Sequence, residues 1–512
     1  MLRKNPIHTI LFAAYPILFL YTNNITMLEI DHIYLPIFLS MAISVLLWSI
    51  LNLLIKNKYK SSIITSLIVV LFFSYGHISI ALGEIPEKNL GVSTDLYVSL
   101  NFVIIFCIIT YLIIKFAKTS LQLTAILNLI SFGLLVYPVF IISQSRSMQS
   151  NKQNLIDFSL TESSGFQRPD IYYIILDGYG REDVLKSVYG YDNKNFLNEL
   201  EKRGFYIATK SCANYSQTLL SLSSTLNMNY LDSSVASANR GNYRRYLSST
   251  ILNNQVAGVL RQIGYKFITF ATGYSGTEIK NSDLYISPIF SLDEFQFMII
   301  GTTPLYKLLE LVPNKSPIYL HRQRILYTID KIPKVNIEDR PLFLFAHIVA
   351  PHPPFVFGNE KFVFSYKKNS KVDFFDGSHY HSFNMALQHK YKSKYITQLV
   401  EINKLIINML DRLMANKKKD IIIILQSDHG PGLLLNWDSP SLNTYSERMP
   451  ILNAYYFPDN NSIALNDSIT PVNTFRLIFN HFFKEKYEIL ENRNYFSTWL
   501  NPHEFISIDT HF

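Results

Sequence analysis

The sequence predicts an α/β protein of two parts, an amino-terminal bundle of about five membrane-spanning helices and a domain built on a mostly parallel central sheet. Three observations support this prediction. The chain has 512 residues, 48% of them hydrophobic, and the apolar excess is concentrated in roughly the first 145. Two continuous apolar runs, at 171–176 and 421–425, have the length of buried strands, and each ends in potential metal ligands. Strand and helix patterns alternate over the second part, which favours parallel strands covered by helices.

The membrane prediction rests on five apolar segments, at residues 7–23, 34–55, 63–83, 96–117 and 121–143. As helices, these segments are about long enough to cross a hydrocarbon core of ~30 Å. The first segment is the shortest and contains Pro16, but no small-residue cleavage site follows it, so we expect a retained helix rather than a signal peptide. Residues 1–145 are therefore predicted to form the transmembrane domain, followed by a polar linker at 146–168 and a globular domain at 169–512.

Loop charges predict the orientation of these helices. Lysine and arginine residues fall at alternate ends of the segments: Arg3, Lys4, Lys56, Lys58, Lys60, Lys115 and Lys118. The other loops are mainly acidic, with Glu29, Asp31, Glu84, Glu87 and Asp95. The positive-inside rule then places the amino terminus in the cytoplasm and, after an odd number of spans, everything beyond residue 145 outside. We expect a multi-pass protein of a bacterial-type plasma (inner) membrane with an extracytoplasmic globular domain.

Charge and cysteine content argue against two other classes of function. The net charge is +8 and the pI is about 9.0. However, the chain has no stripe of arginine and lysine with interleaved aromatic residues, and basic loops beside the spans account for part of the charge. We therefore expect no nucleic-acid partner. The two cysteines, Cys107 and Cys212, provide neither a disulfide framework nor a Cys/His zinc ligand set.

A metal site is predicted where the two apolar runs end. Asp177 follows the first run, Asp428 and His429 follow the second, and open α/β sheets bind ligands at the carboxyl ends of their strands. One divalent cation held by such residues can activate a hydroxyl and stabilise charge on a phosphate or sulfate ester. Thr218 or Ser216 can supply that hydroxyl. Thr218 is preferred because it can start a helix, where backbone amides stabilise an anion, and Ser216 is then a capping neighbour.

With these residues the chain resembles the alkaline phosphatase–sulfatase superfamily, and within it the membrane-bound lipoteichoic acid synthases and phosphoethanolamine transferases. The resemblance extends over nearly the whole chain and implies about five amino-terminal spans followed by an extracytoplasmic sulfatase-like domain. It implies that Asp177, Asp428 and His429 hold the metal, and that Thr218, itself a metal ligand, is the catalytic nucleophile. The implied cofactor is one divalent metal ion: Mn, Zn, Mg or Ca.

Two further residues are assigned to substrate binding. The resemblance implies that His352 is a substrate-side histidine, and its position in a Pro-rich turn after a strand suits such a contact. Arg448 occupies roughly the place of a late histidine of the phosphoethanolamine transferases and can clamp a phosphate with two hydrogen bonds. Pairing of Arg448 with Glu447 or with a helix end is the alternative. His347, inside the strand before His352, is expected to be a packed core residue.

Departures from the resembled families limit the chemistry. No Cys-x-Pro-x-Arg motif surrounds Cys212, so formylglycine sulfatase chemistry is not expected. The cluster at 376–381 contains His379 and His381 but lacks the Asp-xxx-His spacing of two-metal phosphatases, so a single metal ion is predicted.

The sequence thus predicts an integral membrane transferase that moves a phospho-head-group, of the phosphoglycerol or phosphoethanolamine type, from a lipid donor to a surface glycan acceptor. A phospho-threonine at Thr218 is the expected intermediate. Two alternatives stay open. A sulfatase-like or phosphodiesterase hydrolase would use the same ligands with water as the acceptor. A catalytically silent scaffold in surface polysaccharide assembly would keep only the fold.

Overall fold

The computed structural model describes residues 5–509, with gaps in the description at 27, 29, 84, 117–119, 148–167, 239, 313–315, 359–375, 381–384, 416–418, 439, 441–444, 459–462 and 464. Most of the predicted linker at 146–168 lies outside the described residues. The chain divides into two compact units, one of membrane-type helices and one α/β unit. The predicted combination of a helical bundle with an α/β domain is therefore confirmed.

The helices of the amino-terminal region are α1 His8–Asn23, α2 Asp31–Ile55, α3 Lys58–Leu82, α4 Ile85–Leu90, α5 Thr94–Phe116 and α6 Ser120–Ser147. Helices α7 to α18 are, in order, Glu182–Ser187, Lys194–Lys202, Thr218–Leu226, Ser233–Ala238, Tyr243–Leu252, Gln255–Gln262, Glu294–Gly301, Leu305–Leu311, Pro317–Lys331, Met385–Ala415, Tyr445–Arg448 and Thr474–Phe483. Strands β1 to β9 are Asp170–Leu176, Tyr206–Ile207, Lys266–Phe270, Leu284–Ile286, Leu342–Ile348, Ile421–Gln426, Asn453–Tyr456, Asn494–Phe496 and Ile506–Ile508.

Four helices of the first unit, α2, α3, α5 and α6, are long and apolar enough to cross a membrane, counting only the described residues. Helix α1, the first predicted span, has 16 residues and so extends only about 24 Å. It is nevertheless the helix that the others surround, because it packs against α2, α3 and α6 and buries Ala13, Ile17 and Tyr21 almost completely. The predicted count of about five spans therefore corresponds to four long helices and one shorter, buried helix.

The helical unit also contains a segment from far along the sequence. Contacts assign Leu292–Pro317, with helices α13 and α14, to the unit of α1 to α6. The predicted bounds of the globular domain, 169–512, include this segment. The assignment depends on tertiary contacts with the spanning helices, which leave no local periodicity in the sequence.

The α/β unit is built on a seven-stranded sheet with the order β2-β7-β6-β1-β5-β3-β4. Strand β1 lies at the centre and pairs in parallel with β5 and β6, while β3 pairs in parallel with β5 and β4. Among the strands that the structure describes in this sheet, only β7 is reversed: it pairs antiparallel with β6 on one side and with β2 on the other, so the predicted mostly parallel sheet is confirmed. Both faces are buried: Ile421 and Ile423 pack into one core, and Ile422 and Ile424 into the other. Burial on both faces is why the strand reads as a continuous apolar run.

The register of the central strands positions the site. Ile175 of β1 pairs with Gln426 of β6 on one side and with His347 of β5 on the other. Asp177 lies two residues after Ile175, and Asp428 lies two residues after Gln426, so both aspartates lie at the same edge of the sheet. The two predicted ligand runs are thus neighbouring parallel strands in matched register.

Candidate active site

Asp177 and Asp428 meet at the carboxyl edge of β1 and β6. The backbone N–H of Gly178 donates to Oδ1 of Asp428 at 3.2 Å, which joins the ends of the two strands directly. Gly178 has a φ of +71°, a conformation that glycine adopts without the steric cost of a side chain. Both carboxylates are almost completely buried, at 3% and 1% exposure. Two buried carboxylates in one place require compensation by hydrogen bonds or a cation.

His429 presents one nitrogen to this pair of carboxylates. Its Nδ1 lies 3.0 Å from the carbonyl oxygen of Gly430, which can only accept, so the ring proton belongs on Nδ1. Nε2 then carries the lone pair, and it lies 3.3 Å from Oδ2 of Asp428 and 3.7 Å from Oδ1 of Asp177. Burial, followed by the nearby guanidinium of Arg448, lowers the pKa of His429 and favours the neutral ring. A neutral imidazole fixed in this tautomer is the form that binds a metal.

Thr218 completes the group. Its Oγ1 lies 3.0 Å from Nε2 of His429, and Thr218 is partly exposed where its neighbours Gln217 and Leu219 are buried. It is the first residue of α9, and no side chain among the described residues caps the start of that helix. The amides of the first turn therefore have no side-chain acceptor and can face an anion. Ser216 is fully buried, so the structure presents Thr218 rather than Ser216 at the open side.

The spacing of these atoms fits a single cation. Tetrahedral ligands at 2.0–2.2 Å from a zinc ion are separated from one another by about 3.4 Å. The distances from Nε2 of His429 to the three oxygens are 3.0, 3.3 and 3.7 Å. Oδ1 of Asp177 and Oδ2 of Asp428 are buried and have no hydrogen-bond partner among the described residues. These are the same oxygens that face Nε2, so the donor set and its orphaned atoms suit one divalent ion.

His347 also belongs to this cluster, although no role in the site was predicted for it. It was predicted to be a packed core residue, and its side chain is indeed buried. Its Nε2, however, lies 3.2 Å from Oδ2 of Asp177, and its Nδ1 lies 2.8 Å from Oγ1 of Thr277. Asp177, His347 and Asp428 place one ligand atom each within 4.8 Å of one another. A histidine in an otherwise apolar central strand was the available signal, because a buried polar group needs a partner.

Burial and three neighbouring histidines act in opposite directions on the pKa of Asp177. Burial alone would raise the pKa of this carboxyl, but His352, His347 and His429 outweigh burial and hold the pKa of Asp177 well below its usual range. Asp177 is therefore ionised near neutral pH and available as an anionic ligand. This agrees with the orphaned oxygen that faces His429.

His352 also lies at the site. Its backbone N–H donates to the carbonyl oxygen of Asp177 at 2.9 Å, and its ring centroid lies 6.1 Å from that of His429. Nδ1 lies 2.7 Å from the carbonyl oxygen of Pro353, so Nδ1 carries the proton of the neutral ring and Nε2 is the acceptor. Gln398 holds the turn by donating to the carbonyl oxygen of His352 at 2.9 Å.

Arg448 lies next to this group of ligands and makes a separate set of hydrogen bonds. Nε donates to the carbonyl oxygen of Ser216 at 2.8 Å, and Nη1 donates to that of Gly430 at 3.1 Å. Nη1 is also 3.3 Å from Oδ2 of Asp376. Burial would raise the pKa of Asp376, but Arg448 outweighs burial and the pKa lies below its usual value. Arg448 therefore connects the segment before Thr218 to the segment after His429, and a direct phosphate contact stays a prediction.

The structure thus brings together all of the sequence-predicted site residues, with Arg448 at the rear of the group. His381 lies outside the described residues, as does the side chain of His379, so the second histidine cluster is not placed. The parallel sheet, with potential metal ligands at the carboxyl ends of its strands, is typical of an α/β enzyme with a metal-binding site.

The chain belongs to the sulfatase family, whose model matches residues 161–500. The prediction of a sulfatase-like enzyme domain in the second part of the chain is therefore confirmed. The same comparison covers every residue of the site described above. No curated protein sequence matches the chain.

Similar solved structures include the integral membrane lipooligosaccharide phosphoethanolamine transferase A from Neisseria meningitidis, at 12% identity and a TM-score of 0.43, covering 93% of this chain and 94% of that one. The periplasmic domain of a phosphoethanolamine transferase from Campylobacter jejuni has 13% identity and a TM-score of 0.36, covering 64% of this chain and 92% of that one. A protein of the alkaline phosphatase superfamily from Vibrio parahaemolyticus has 12% identity and a TM-score of 0.39, covering 65% and 74%.

Proposed function

We propose that this protein is an integral membrane, metal-dependent transferase that moves a phospho-head-group, of the phosphoglycerol or phosphoethanolamine type, from a lipid to a surface glycan. The observation that supports it best is the convergence of Thr218 Oγ1, His429 Nε2 and two orphaned carboxylate oxygens in a buried group of atoms. An open hydroxyl beside an anionic ligand set is the arrangement that nucleophilic attack on a phosphodiester needs.

In this proposal Thr218 is the nucleophile and a metal ligand, with Asp177, Asp428 and His429 as the other ligands. A divalent cation bound there would lower the pKa of the hydroxyl and neutralise charge on the ester. Oγ1 of Thr218 forms a bond to phosphorus, and the bond from phosphorus to the lipid oxygen breaks. That oxygen leaves with a proton as the lipid alcohol. A glycan hydroxyl then attacks phosphorus, and Thr218 is released.

The start of α9 contributes to the same step. Because the first-turn amides of α9 have no capping side chain, they can donate to the non-bridging oxygens of the phosphoryl group on Thr218. This stabilises negative charge without any reorganisation of the backbone. It also explains why the helix begins at the nucleophile itself.

We assign the proton and substrate contacts to His352. Its Nδ1 is held by the carbonyl oxygen of Pro353, so Nε2 is the ring atom left for substrate. The neutral ring accepts a proton from an entering hydroxyl, and the protonated ring donates one to a leaving oxygen. We also propose that Arg448 contributes to phosphate binding. Its hydrogen bonds to the carbonyl oxygens of Ser216 and Gly430 hold its guanidinium beside the segments that carry Thr218 and His429.

His347 is proposed as a positioning residue for Asp177. If the hydroxyl of Thr277 donates to Nδ1 of His347, then Nε2 carries the ring proton and donates to Oδ2 of Asp177. This leaves Oδ1 of Asp177 for the metal. A carboxylate held in this way is a stronger and better oriented ligand.

The membrane part is proposed to hold the lipid donor, with residues 1–145 as the transmembrane domain and 169–512 as the catalytic domain. We keep the orientation derived from loop charges, with a cytoplasmic amino terminus and an extracytoplasmic sulfatase-family domain.

A mass measurement on Thr218 tests the proposal. The full-length protein is incubated with a phospholipid mixture and a divalent metal, and the peptide that contains Thr218 is analysed by mass spectrometry. We expect the added mass of one phosphoethanolamine or phosphoglycerol group, and its loss when a glycan acceptor is supplied. Turnover at the wild-type rate by Thr218→Ala protein would exclude the covalent role.

Two further measurements, together with the mass of Thr218, distinguish the alternatives. A hydrolase of the same family would release the head group to water at a rate that does not depend on a glycan acceptor. A silent scaffold would bind no stoichiometric metal and would leave Thr218 unmodified. Product analysis with and without acceptor, combined with metal analysis of the purified protein, separates the three.

A further inference from the structure

Helices α13 and α14 form a short helical pair that belongs to the unit of membrane-type helices. The chain reaches this unit at Leu292, after strand β4, and leaves it at Pro317. The family match covers these residues, so the pair comes from the sulfatase-family part of the sequence. Its contacts within the helical unit indicate what it does.

Two side-chain contacts hold α13 and its N-cap residue to helices α1 and α2. Oδ2 of Asp293 lies 2.8 Å from Nδ1 of His32, and both side chains are nearly buried, at 9% and 7% exposure. Phe295 is fully buried, with its ring 6.3 Å from that of Tyr21 in an edge-on arrangement. A buried hydrogen bond between an imidazole and a carboxylate, together with a buried ring, is a feature of a fixed contact rather than of a loosely packed loop.

A backbone contact brings the segment unusually close to α3. The N–H of Gly76, inside α3, donates to the carbonyl oxygen of Thr302 at 2.9 Å. A Cβ atom at position 76 would lie 2.2 Å from the carbonyl oxygen of Gly301, a distance that no side chain permits. Only glycine at this position allows the turn between α13 and α14 to rest against the helix.

These contacts all fall at one end of the bundle. His32 and Asp95 lie at the starts of α2 and α5, while Tyr21 and Gly76 lie near the ends of α1 and α3. Nζ of Lys307, on α14, lies 3.2 Å from Oδ2 of Asp95. Helix α14 is therefore attached at the level where the spanning helices reach their polar connections, which is the boundary of the hydrocarbon layer.

Helix α14 nevertheless exposes an apolar face. Leu305 and Leu308 are 41% and 54% exposed, and their spacing of three residues places them on one side of the helix. Val312, the residue at the C-cap, is 46% exposed. Ile104 and Ile108 of the spanning helix α5 are each 54% exposed in the same way, because lipid is the solvent of that surface. Helix α14 thus exposes the same type of large apolar side chain as the spanning helix to which Lys307 attaches it.

We propose that α14 is an interfacial membrane helix, whose Leu305, Leu308 and Val312 enter the lipid at the boundary of the hydrocarbon layer. The occupant of this face is the phospholipid bilayer, because the helix is fixed to spanning helices at their ends. The role is separate from the proposed chemistry at Thr218. It gives the sulfatase-family part of the chain a lipid contact besides the spanning helices themselves.

Site-specific fluorescence in vesicles tests this proposal. In a background with Cys107→Ser and Cys212→Ser, the full chain carries an environment-sensitive label at Leu308→Cys and is reconstituted into phosphatidylcholine vesicles. Quenching is measured with lipid-attached nitroxides and with aqueous iodide. Ile104→Cys, within a spanning helix, is the lipid control, and Lys202→Cys, on an exposed part of α8, is the aqueous control.

We expect the label at 308 to be quenched by shallow nitroxides, with iodide quenching at least about threefold weaker than at 202. A label at Leu305→Cys, on the same face, should show the same quenching. This second position controls for a local structural change caused by the label at 308. Iodide quenching equal to that at 202 would overturn the proposal. Protection from both quenchers would overturn it as well, because protein and not lipid would then cover the face.

Discussion

The hydroxyl oxygen of Thr218 lies 3.0 Å from Nε2 of His429, although 211 positions separate the two residues in the chain. The same nitrogen faces the orphaned oxygens of Asp177 and Asp428. Four side-chain atoms from three chain segments therefore lie close together at the carboxyl edge of the sheet.

Removal of the Thr218 hydroxyl should abolish turnover. We expect Thr218→Ala to lower the rate by at least about 1,000-fold with the fold intact, because the variant has no nucleophile. Ser216→Ala is the matched control, since it removes a hydroxyl two residues away that is fully buried. It should keep the rate within about threefold. Head-group release from a labelled phospholipid measures both variants, and circular dichroism checks their folding.

Asp428→Asn should have opposite effects on metal binding and on the metal-free protein. The amide can still accept from Gly178 but removes negative charge beside Asp177, so metal affinity should fall at least about tenfold. Without metal, the same change relieves repulsion between two buried carboxylates, and the Tm should rise. Isothermal calorimetry and thermal unfolding measure the two effects. Asp183→Asn, at a half-exposed carboxylate away from the cluster, is the control for charge alone. A metal affinity unchanged by Asp428→Asn would contradict the assigned ligand set.

The role of His347 can be separated from simple packing by two substitutions. The side-chain amide of His347→Gln can place an N–H near the position of Nε2, whereas that of His347→Asn reaches only the position of Nδ1. We expect His347→Gln to retain metal affinity within about threefold and His347→Asn to lose about tenfold or more. Equal losses in the two variants would indicate a packing role only. Thr277→Val, which removes the partner of Nδ1, should weaken metal binding in the same direction.

A buried histidine outside the proposed ligand set should make the α/β unit acid-sensitive. Burial, followed by the neighbouring Arg324, lowers the pKa of His321 to about 3. Between pH 6.5 and about 3 the unfolded chain binds a proton here that the folded chain does not, so stability falls as the pH is lowered through this window. His321→Gln keeps a donor for the carbonyl oxygen of Val349 but does not titrate. We expect the free energy of unfolding of the His321→Gln protein to fall less steeply with decreasing pH than that of the wild type, measured by denaturant titration. His389→Asn, at an exposed position of α16, is the control and should leave the slope unchanged.

A matched pair of glycine substitutions tests the docking of α13 and α14. Gly76→Val must displace the turn at Gly301 and Thr302, whereas Gly133, on α6, has open space around the position of a Cβ atom. We expect Gly76→Val to destabilise the bundle by about 1–3 kcal/mol and to increase proteolysis near 301–303. Gly133→Val should leave both quantities close to wild type. Equal behaviour of the two variants in detergent unfolding and limited proteolysis would contradict the close contact.

Much of the site was predictable from sequence because its signals are local. Asp177 and Asp428 directly follow strands that are buried on both faces, and such strands read as unbroken apolar runs. His429 adjoins Asp428, and Thr218 lies where a helix begins. His347 was not predicted, since its contact with Asp177 depends on the pairing of β5 with β1. Arg448 was predicted near the phosphate, but its pairing with Asp376 could not be read from sequence.

The sequence by itself determined the two-part architecture, the parallel sheet and the chemical types of the ligands. These follow from hydrophobic periodicity and from the residues that end each strand, which are properties of short stretches of chain. Only the tertiary structure decided which oxygens are left orphaned, that His347 supports Asp177, and that Leu292–Pro317 belongs with the membrane helices. The physical reason is that register, burial and close packing against Gly76 depend on distant segments meeting, and no local pattern records which segments meet.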